Sequence, residues 1–405
     1  MGKWEMVRLG VHVEQIRGVS YKPEDTSDVE DDKHLPLLRA HNIQSEGLNR
    51  NNLVFVSKSK IRDHQFIKSG DIVVCASSGS KDLVGKAAQA TENMDAAFGA
   101  FCKVVRPKSK IDATYLKHYF SSPKYRHIIS ELSAGANINN LRNEHIDDLQ
   151  IPLPPLEVQR KIADVLDRAS ALIEKRKAQI DKLDLLVKSQ FIGMFGDPVT
   201  NPKGWEKQPM GNYLALLTDF SANGSYEYLD SNVIMYDEPN YALMIRTTDL
   251  ERQDFTHDVK YINKEAYAVL GKSKLFGEEI IMNKIGSAGK VYLMPVLNIP
   301  ASLGRNAFMF RYKESINPVY IFYFLTSNYG ENEILKHVRG AVTKTITKDA
   351  VRSIPIIAPP ICIQNEFAGF VHHVEAQKTL LQQSLAKIEQ NYKSVMQKCF
   401  AGEVF

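Results

Sequence analysis

The chain has 405 residues, 44% hydrophobic and 24% charged, with 23 Gly and 17 Pro. That composition excludes disordered, collagen-like and fibrous proteins, and the length exceeds one ordinary core. The four cysteines (Cys75, Cys102, Cys362, Cys399) lie far apart, which argues against a zinc site or disulfide framework and for a reducing, cytoplasmic setting; the formal charge of +4 is too small a bias to imply a partner.

The N-terminal MGKWEMVRLG lacks the pattern of a signal peptide, and no apolar run approaches the roughly 18–20 residues of a membrane span. An acidic stretch follows, with Glu24, Asp25, Asp28, Glu30, Asp31 and Asp32. Clusters of β-branched and aromatic residues predict strands at IVVCAS (72–77) and FCKVVRP (101–107), and ATYLKHYF (113–120) predicts a helix. The loop ASSGSKDLVGKA (76–87) is not a phosphate loop, because Gly79 and Gly85 are six apart and Ala87 follows Lys86. It gathers Ser77, Ser78, Ser80, Lys81 and Lys86, and a second polar cluster holds Asn137, Asn139, Asn140 and Arg142. Pro154-Pro155 cannot lie inside a helix but can open one, and Glu157 in the first turn suits the helix dipole. The predicted helix ends in FGDPVTNPKGW (195–205), a linker by its turn chemistry.

The same order then recurs. Acids from Asp219 to Asp258 accompany predicted strands at YALMI (241–245), EIIMN (279–283) and AFMFRY (307–312), and PVYIFYFL (318–325) predicts a helix. Polar clusters hold Lys284, Ser287 and Lys290, then Arg305 and Asn306, then Thr343, Lys344, Thr345 and Lys348, before Pro359-Pro360 opens a last helix. An offset of 205 brings the halves into register without a gap from 111 to 195, with 16 identities in 85 pairs. Tyr115 meets Tyr320, Gly135-Ala136 meets Gly340-Ala341, Gln159 meets Gln364 and Phe195 meets Phe400. The repeat predicts an α+β chain in two tandem copies: 1–154 and 205–358 globular, 155–195 and 359–405 helical, 196–204 a linker.

Both helices carry a seam in alternating steps of four and three. The first seam is Ile162, Leu166, Ala169, Ile173, Arg176, Ile180, Leu183, Val187, Gln190 and Met194. The second is Phe367, Val371, Val374, Lys378, Leu381, Leu385, Ile388, Tyr392, Val395 and Cys399. Eight and nine of the ten positions are apolar or aromatic, which predicts that the helices pack on each other as a coiled coil. About 40 residues at roughly 1.5 Å each make a spacer near 60 Å long.

No serine-hydrolase elbow, zinc-protease, Walker or dinucleotide-binding motif occurs, nor an adenine-methyltransferase tetrad, and His372-His373 lie off the seam. The charge, by contrast, is patterned. Residues 33–110 hold 13 Lys+Arg against 6 Asp+Glu, and residues 260–352 hold 14 against 7, so each segment nets +7. A basic surface in equivalent parts of two spaced domains suits duplex DNA, whose phosphates supply affinity by counterion release. The Ser, Thr, Asn, Arg and Lys side chains of the loop clusters are the types that read base edges.

These residues resemble the specificity (S) subunits of Type I restriction-modification systems. The resemblance rests on IPLPPLEVQRKIADVLD (151–167), IPIIAPPICIQNEF (354–367), SGDIVVCASSGS, GEEIIMNKIGSAGK and FGDPVTNPKGW, and it spans essentially the whole chain. It places Gly79-Ser80 and Gly286-Ser287 in a glycine-serine loop and Gln159 and Gln364 in the helix starts; Cys362 stands where the first copy has Glu157. It implies two target recognition domains, each reading one half of a split DNA target, with antiparallel helices between them. It further implies two methyltransferase (M) subunits using S-adenosylmethionine, and two restriction (R) subunits using ATP with Mg. This chain would then be non-catalytic and bind no cofactor itself. The competing readings are a stand-alone, repressor-like DNA-binding protein and a coiled-coil scaffold that binds protein only.

Overall fold

The computed structural model describes residues 4–44, 47–135 and 140–405. The chain forms two compact units, one of residues 1–178 with 382–405 and the other of residues 179–381. Each unit therefore takes part of both long helices, Leu156–Phe195 and Ile361–Ala401, instead of one whole helix.

In the first unit an antiparallel sheet runs in the order Val13–Arg17, Cys102–Pro107, Ile72–Cys75, Ala87–Gln89. The strand Ile72–Cys75 is apolar throughout, and Val104 and Val105 continue the pattern in Cys102–Pro107, because both faces are covered and alternate side chains enter different cores. Ile72, Val74 and Val105 pack with Tyr115, Leu116 and Tyr119 of the helix Ala113–Phe120. Val73, Cys75 and Val104 pack with Leu38, Ile43 and Phe98 on the side of a second sheet. The second unit repeats this layering. Its sheet runs Leu214–Asp219, Ala307–Tyr312, Ile280–Asn283, Val291–Leu293. Ile280, Met282 and Phe310 face the helix Pro318–Leu325, while Ile281 and Met309 face Leu243, Ile245 and Leu303.

In both units the other sheet contains one parallel pair, Leu37–Leu38 with Ala97–Phe98 and Leu243–Ile245 with Ala301–Leu303. The outer strands of these sheets differ. Thr26–Ser27 lies beside Val54–Ser57 in the first, whereas Lys274–Leu275 lies beside Ala301–Leu303 in the second. The copies thus share their sheet-and-helix base and diverge at the other end.

The repeat extends to single hydrogen bonds. Gln159, fully buried, accepts from Asp112 N (2.8 Å) and donates to Lys110 O (3.1 Å) and Pro154 O (2.8 Å). Gln364 makes the same three bonds, to Asn317 N (2.9 Å), Ser315 O (3.1 Å) and Pro359 O (2.6 Å). Each glutamine satisfies backbone groups that burial would otherwise leave unpaired, and so ties a long helix to its preceding domain. Asp112 and Asn317 cap the helices that follow them by accepting two backbone N–H bonds each.

The two helices pack antiparallel within the second unit, where Asp184 pairs with Lys378 at 2.6 Å while Phe191 and Phe195 meet Phe367. The ion pair accounts for the lysine in an apolar seam. In the first unit Ile162 and Leu166 share a core with Met396 and Cys399. None of the seam positions is exposed: Ile162, Leu166, Ile173, Val187, Phe367 and Val371 are buried, and Ile180, Leu183, Leu381, Leu385, Ile388 and Tyr392 half-buried. His372 and His373 are exposed.

The helix ends are exchanged. Phe195 closes the helix that leaves the first copy, yet its ring is 4.6 Å from Tyr320 in the second unit. Phe400 closes the other helix, and its ring is 5.1 Å from Tyr115 in the first unit. Phe195→Ala should therefore destabilise the second unit by about 3–5 kcal/mol, in the range for a truncated core aromatic. Hydrogen exchange is the check: protection should fall in residues 318–325 and not in 113–120, and Phe400→Ala should do the reverse.

Candidate nucleic-acid interface

The first unit builds its polar loop on the end of the strand Ile72–Cys75. Gly85 has φ +76°, and a Cβ there would lie 2.7 Å from Ile129. Gly289 has φ +89° and meets the equivalent Ile334 at 2.6 Å. Only glycine fits such a left-handed, closely approached position without strain. Arg126 braces the first loop by donating to Asp82 O (2.9 Å) and Val84 O (3.1 Å), and Tyr125 Oη donates to Gly85 O (2.9 Å).

Backbone bonds bring the predicted clusters together. Leu141 N donates to Ala76 O at 2.6 Å, and Ser77 and Asn140 form an antiparallel bridge. Phe101 O accepts from Ala76 N (2.8 Å) and Ser77 N (3.0 Å). In the second unit Ile346 N donates to Lys284 O (3.1 Å), Gly286 N to Lys344 O (3.0 Å) and Lys284 N to Asn306 O (2.8 Å), while Ile285 and Thr345 form the bridge. Three segments distant in sequence thus meet at one loop in each unit, in equivalent positions.

The individual side chains divide by what holds them. Ser77 and Ser78 are half-buried, and Ser80, Asn140 and Arg142 are exposed. Lys81 opens the short turn Lys81–Leu83, and Lys86 Nζ donates to Gln44 Oε1 at 3.0 Å. Asn137 and Asn139 lie outside the described residues. In the second unit Ser287, Thr343 and Lys344 are exposed and Thr345 is half-buried. Lys290 lies 3.5 Å from Glu251 and over the Tyr292 ring. Arg305 pairs with Asp230 and lies over Phe220, and Asn306 takes a left-handed φ of +72°.

Lys284 and Lys348 are held inward. Both reach the carboxylate of Asp219, at 2.9 Å and 3.0 Å, above the ring of Phe308. Burial alone would raise the Asp219 carboxyl, but the two lysine hydrogen bonds outweigh it and hold the group below its ordinary value. By residue type alone these lysines group with the base-reading candidates of their loops; the carboxylate that holds them, Asp219, is 65 residues from Lys284. Phe101, a residue 70% exposed at the position matching Asn306, is missing from those candidates. A bulky aromatic just before the first paired strand residue, Cys102, is the signal that marks it.

Among the described residues no group of three His, Cys, Asp or Glu could hold a metal ion, and no helix is long and apolar enough to cross a membrane.

Asp219→Asn should leave two lysines facing a neutral amide and destabilise the second unit by about 2–3 kcal/mol, somewhat less than loss of a fully buried partner. Because the carboxyl is held low in the folded state, its contribution is present above the ordinary carboxylate range and is lost as pH falls below about 4. Urea unfolding from pH 7 to 3 should therefore show a steeper acid decline for the native chain than for the variant.

A family model described as the Type I restriction modification DNA specificity domain matches residues 1–183 and 210–390. The EcoKI specificity subunit of Escherichia coli K12 is 29% identical, across 99% of this chain and 89% of its own length. The StySPI specificity subunit of Salmonella potsdam is also 29% identical, with the same coverage. Among solved structures, a chain of a type I R-M system is similar in fold at TM-score 0.57 and 17% identity, over 100% of this chain and 98% of that one. The S subunit of the Type-I restriction-modification system from M. genitalium is similar at TM-score 0.56 and 13% identity, over 98% and 96%.

Proposed function

The chain belongs to the family of Type I restriction-modification DNA specificity subunits, and from that premise we propose how its parts divide the work. Each globular region is a target recognition domain that reads one half of a bipartite duplex sequence through its three-segment loop cluster. The long helices are the spacer between the half-sites and the docking surface for two methyltransferase subunits. Catalysis, S-adenosylmethionine and ATP with Mg belong to the methyltransferase and restriction subunits.

The observation that carries this reading is the pair of equivalent loop clusters. Each is anchored on a sheet buried on both faces, and each displays different side chains. A rigid base with variable loops is how a scaffold changes specificity without changing fold. Ser77, Ser78, Ser80, Asn140 and Arg142 of the first unit present hydroxyl, amide and guanidinium groups suited to base edges and phosphates. Ser287, Thr343, Lys344 and Thr345 offer a different set in the second, so the two half-sites should differ. The ring of Phe101 supplies an apolar surface for a thymine methyl or an exposed base face. Lys284 and Lys348, tied to Asp219, stiffen the second cluster more than they contribute free charge.

Co-expression with a cognate methyltransferase and genome-wide mapping of methylated adenines tests the proposal. The expected result is a bipartite motif that disappears when this chain is omitted. A stand-alone repressor would instead bind its site tightly without the methyltransferase and leave methylation unchanged. Removal of one heptad from each long helix should shorten the unread spacer and leave both half-sites intact, as dimer spacing sets half-site separation in other DNA-binding proteins. An unchanged spacer in the mapped motif would remove the helices from that role.

A further inference from the structure

The cationic side chains around the second unit's loop cluster are not equivalent. Lys284 and Lys348 are committed to Asp219, and Lys290 to Glu251 and the Tyr292 ring. Lys290 and Lys344 are exposed as well, but each is a point charge, whereas Arg305 carries a planar guanidinium. Its side chain is 47% exposed, its Nη2 donates to Asp230, and its guanidinium carbon lies 5.3 Å from the centre of the Phe220 ring. The remaining guanidinium donors have no protein acceptor among the described residues. A carboxylate on one edge and an aromatic face beneath restrict the rotamers of a long side chain and leave a planar fork toward solvent.

The backbone that carries Arg305 is equally constrained. It lies in the turn between the strands Ala301–Leu303 and Ala307–Tyr312, which belong to different sheets of the unit. Gly304 N donates to Ile245 O at 2.8 Å, and a Cβ on Gly304 would lie 2.9 Å from that same oxygen. Asn306 holds its left-handed conformation while its carbonyl accepts from Lys284 N. The turn is thereby joined to the loop of Gly286 and Ser287. Arg305 and Asn306 also edge a cavity of about 310 Å³ that Phe220, Met235 and Met244 line together with Arg246, Thr247 and Thr248. The first copy has Ala100 and Phe101 at the two matching positions, so the copies present different chemistry at this turn.

We propose that Arg305, positioned by Asp230 and Phe220, reads a guanine in the half-site of the second domain by donating two hydrogen bonds to its O6 and N7. This rests on the assignment of that domain to half-site recognition. A fork held in place loses little freedom on binding, and an arginine–guanine pair discriminates among bases where a phosphate contact does not. Asp230 and Phe220 are positioning residues: they touch Arg305, and their effect on specificity passes through it.

The test compares methylation motifs of the native chain and of Arg305→Ala and Arg305→Lys, each co-expressed with the methyltransferase. Fluorescence-anisotropy titrations of the assembled methyltransferase follow, on duplexes carrying every base pair in turn at each second-half position. The native motif should contain a fixed G·C pair in one half-site. Arg305→Ala should lower the preference at that single pair about tenfold or more, and leave the other half-site and the spacer as they were. Arg305→Lys should retain a weaker preference for guanine, and Asp230→Asn should relax the same position and no other. An unchanged motif with Arg305→Ala would overturn the proposal, as would a uniform loss of affinity for every duplex, the signature of a phosphate contact. If the native chain directs no bipartite methylation, the assignment of the domain itself fails, which is a separate result from a bipartite motif indifferent to Arg305.

Discussion

Two aromatic side chains, Phe195 and Phe400, lie at the ends of the long helices, and each packs into the core of the domain that the other helix follows. Phe195 packs on Tyr320 and Phe367, and Phe400 packs on Tyr115 and Tyr119. Neither copy therefore completes its core from its own sequence. The first unit closes only with residues 382–405, and the second only with residues 179–195. An aromatic group excluded from its pocket leaves a cavity and an exposed ring, so the C-terminal end of each helix is held by hydrophobic burial. Gln159 and Gln364 hold the other ends through backbone groups that have no water to turn to.

With the helices held in this way, the polar loops rest on a rigid foundation. Each central sheet is covered on both faces, and the loop cluster grows from the end of its third strand. The hydrogen bonds from Leu141 N to Ala76 O and from Ile346 N to Lys284 O bind distant segments into one surface. Specificity can then vary with side chains such as Arg305 or Phe101 without disturbing the core beneath. The outer strands of the second sheets, Thr26–Ser27 and Lys274–Leu275, also differ between the copies.

Much of this organisation was legible in the residues. Clusters of β-branched and aromatic residues located the central strands, because such side chains pack well on a pleated sheet. The Pro-Pro pairs located the helix starts, and the four-three spacing of the seams identified residues that all avoid exposure. Asn317 and Asp112 are ordinary caps, readable as such before PVYIFYFL and ATYLKHYF. The repeat at an offset of 205 joined these local signals into two copies of one design.

Other features depended on separations that no local pattern encodes. Lys284 and Lys348 belong to polar loops by residue type and spacing, and only the fold brings both to the carboxylate of Asp219. The seam could show that two helices pair, but not that each end enters the other copy's core, because Phe195 and Phe400 match their own repeat as well as they match the partner pocket. The sequence by itself determined the duplication, the secondary structure and the apolar faces, all of which are properties of residue type and spacing. The tertiary structure decided which faces meet, which charges neutralise each other and which guanidinium stays open to solvent, because burial and Coulombic pairing act between groups brought close only by the fold.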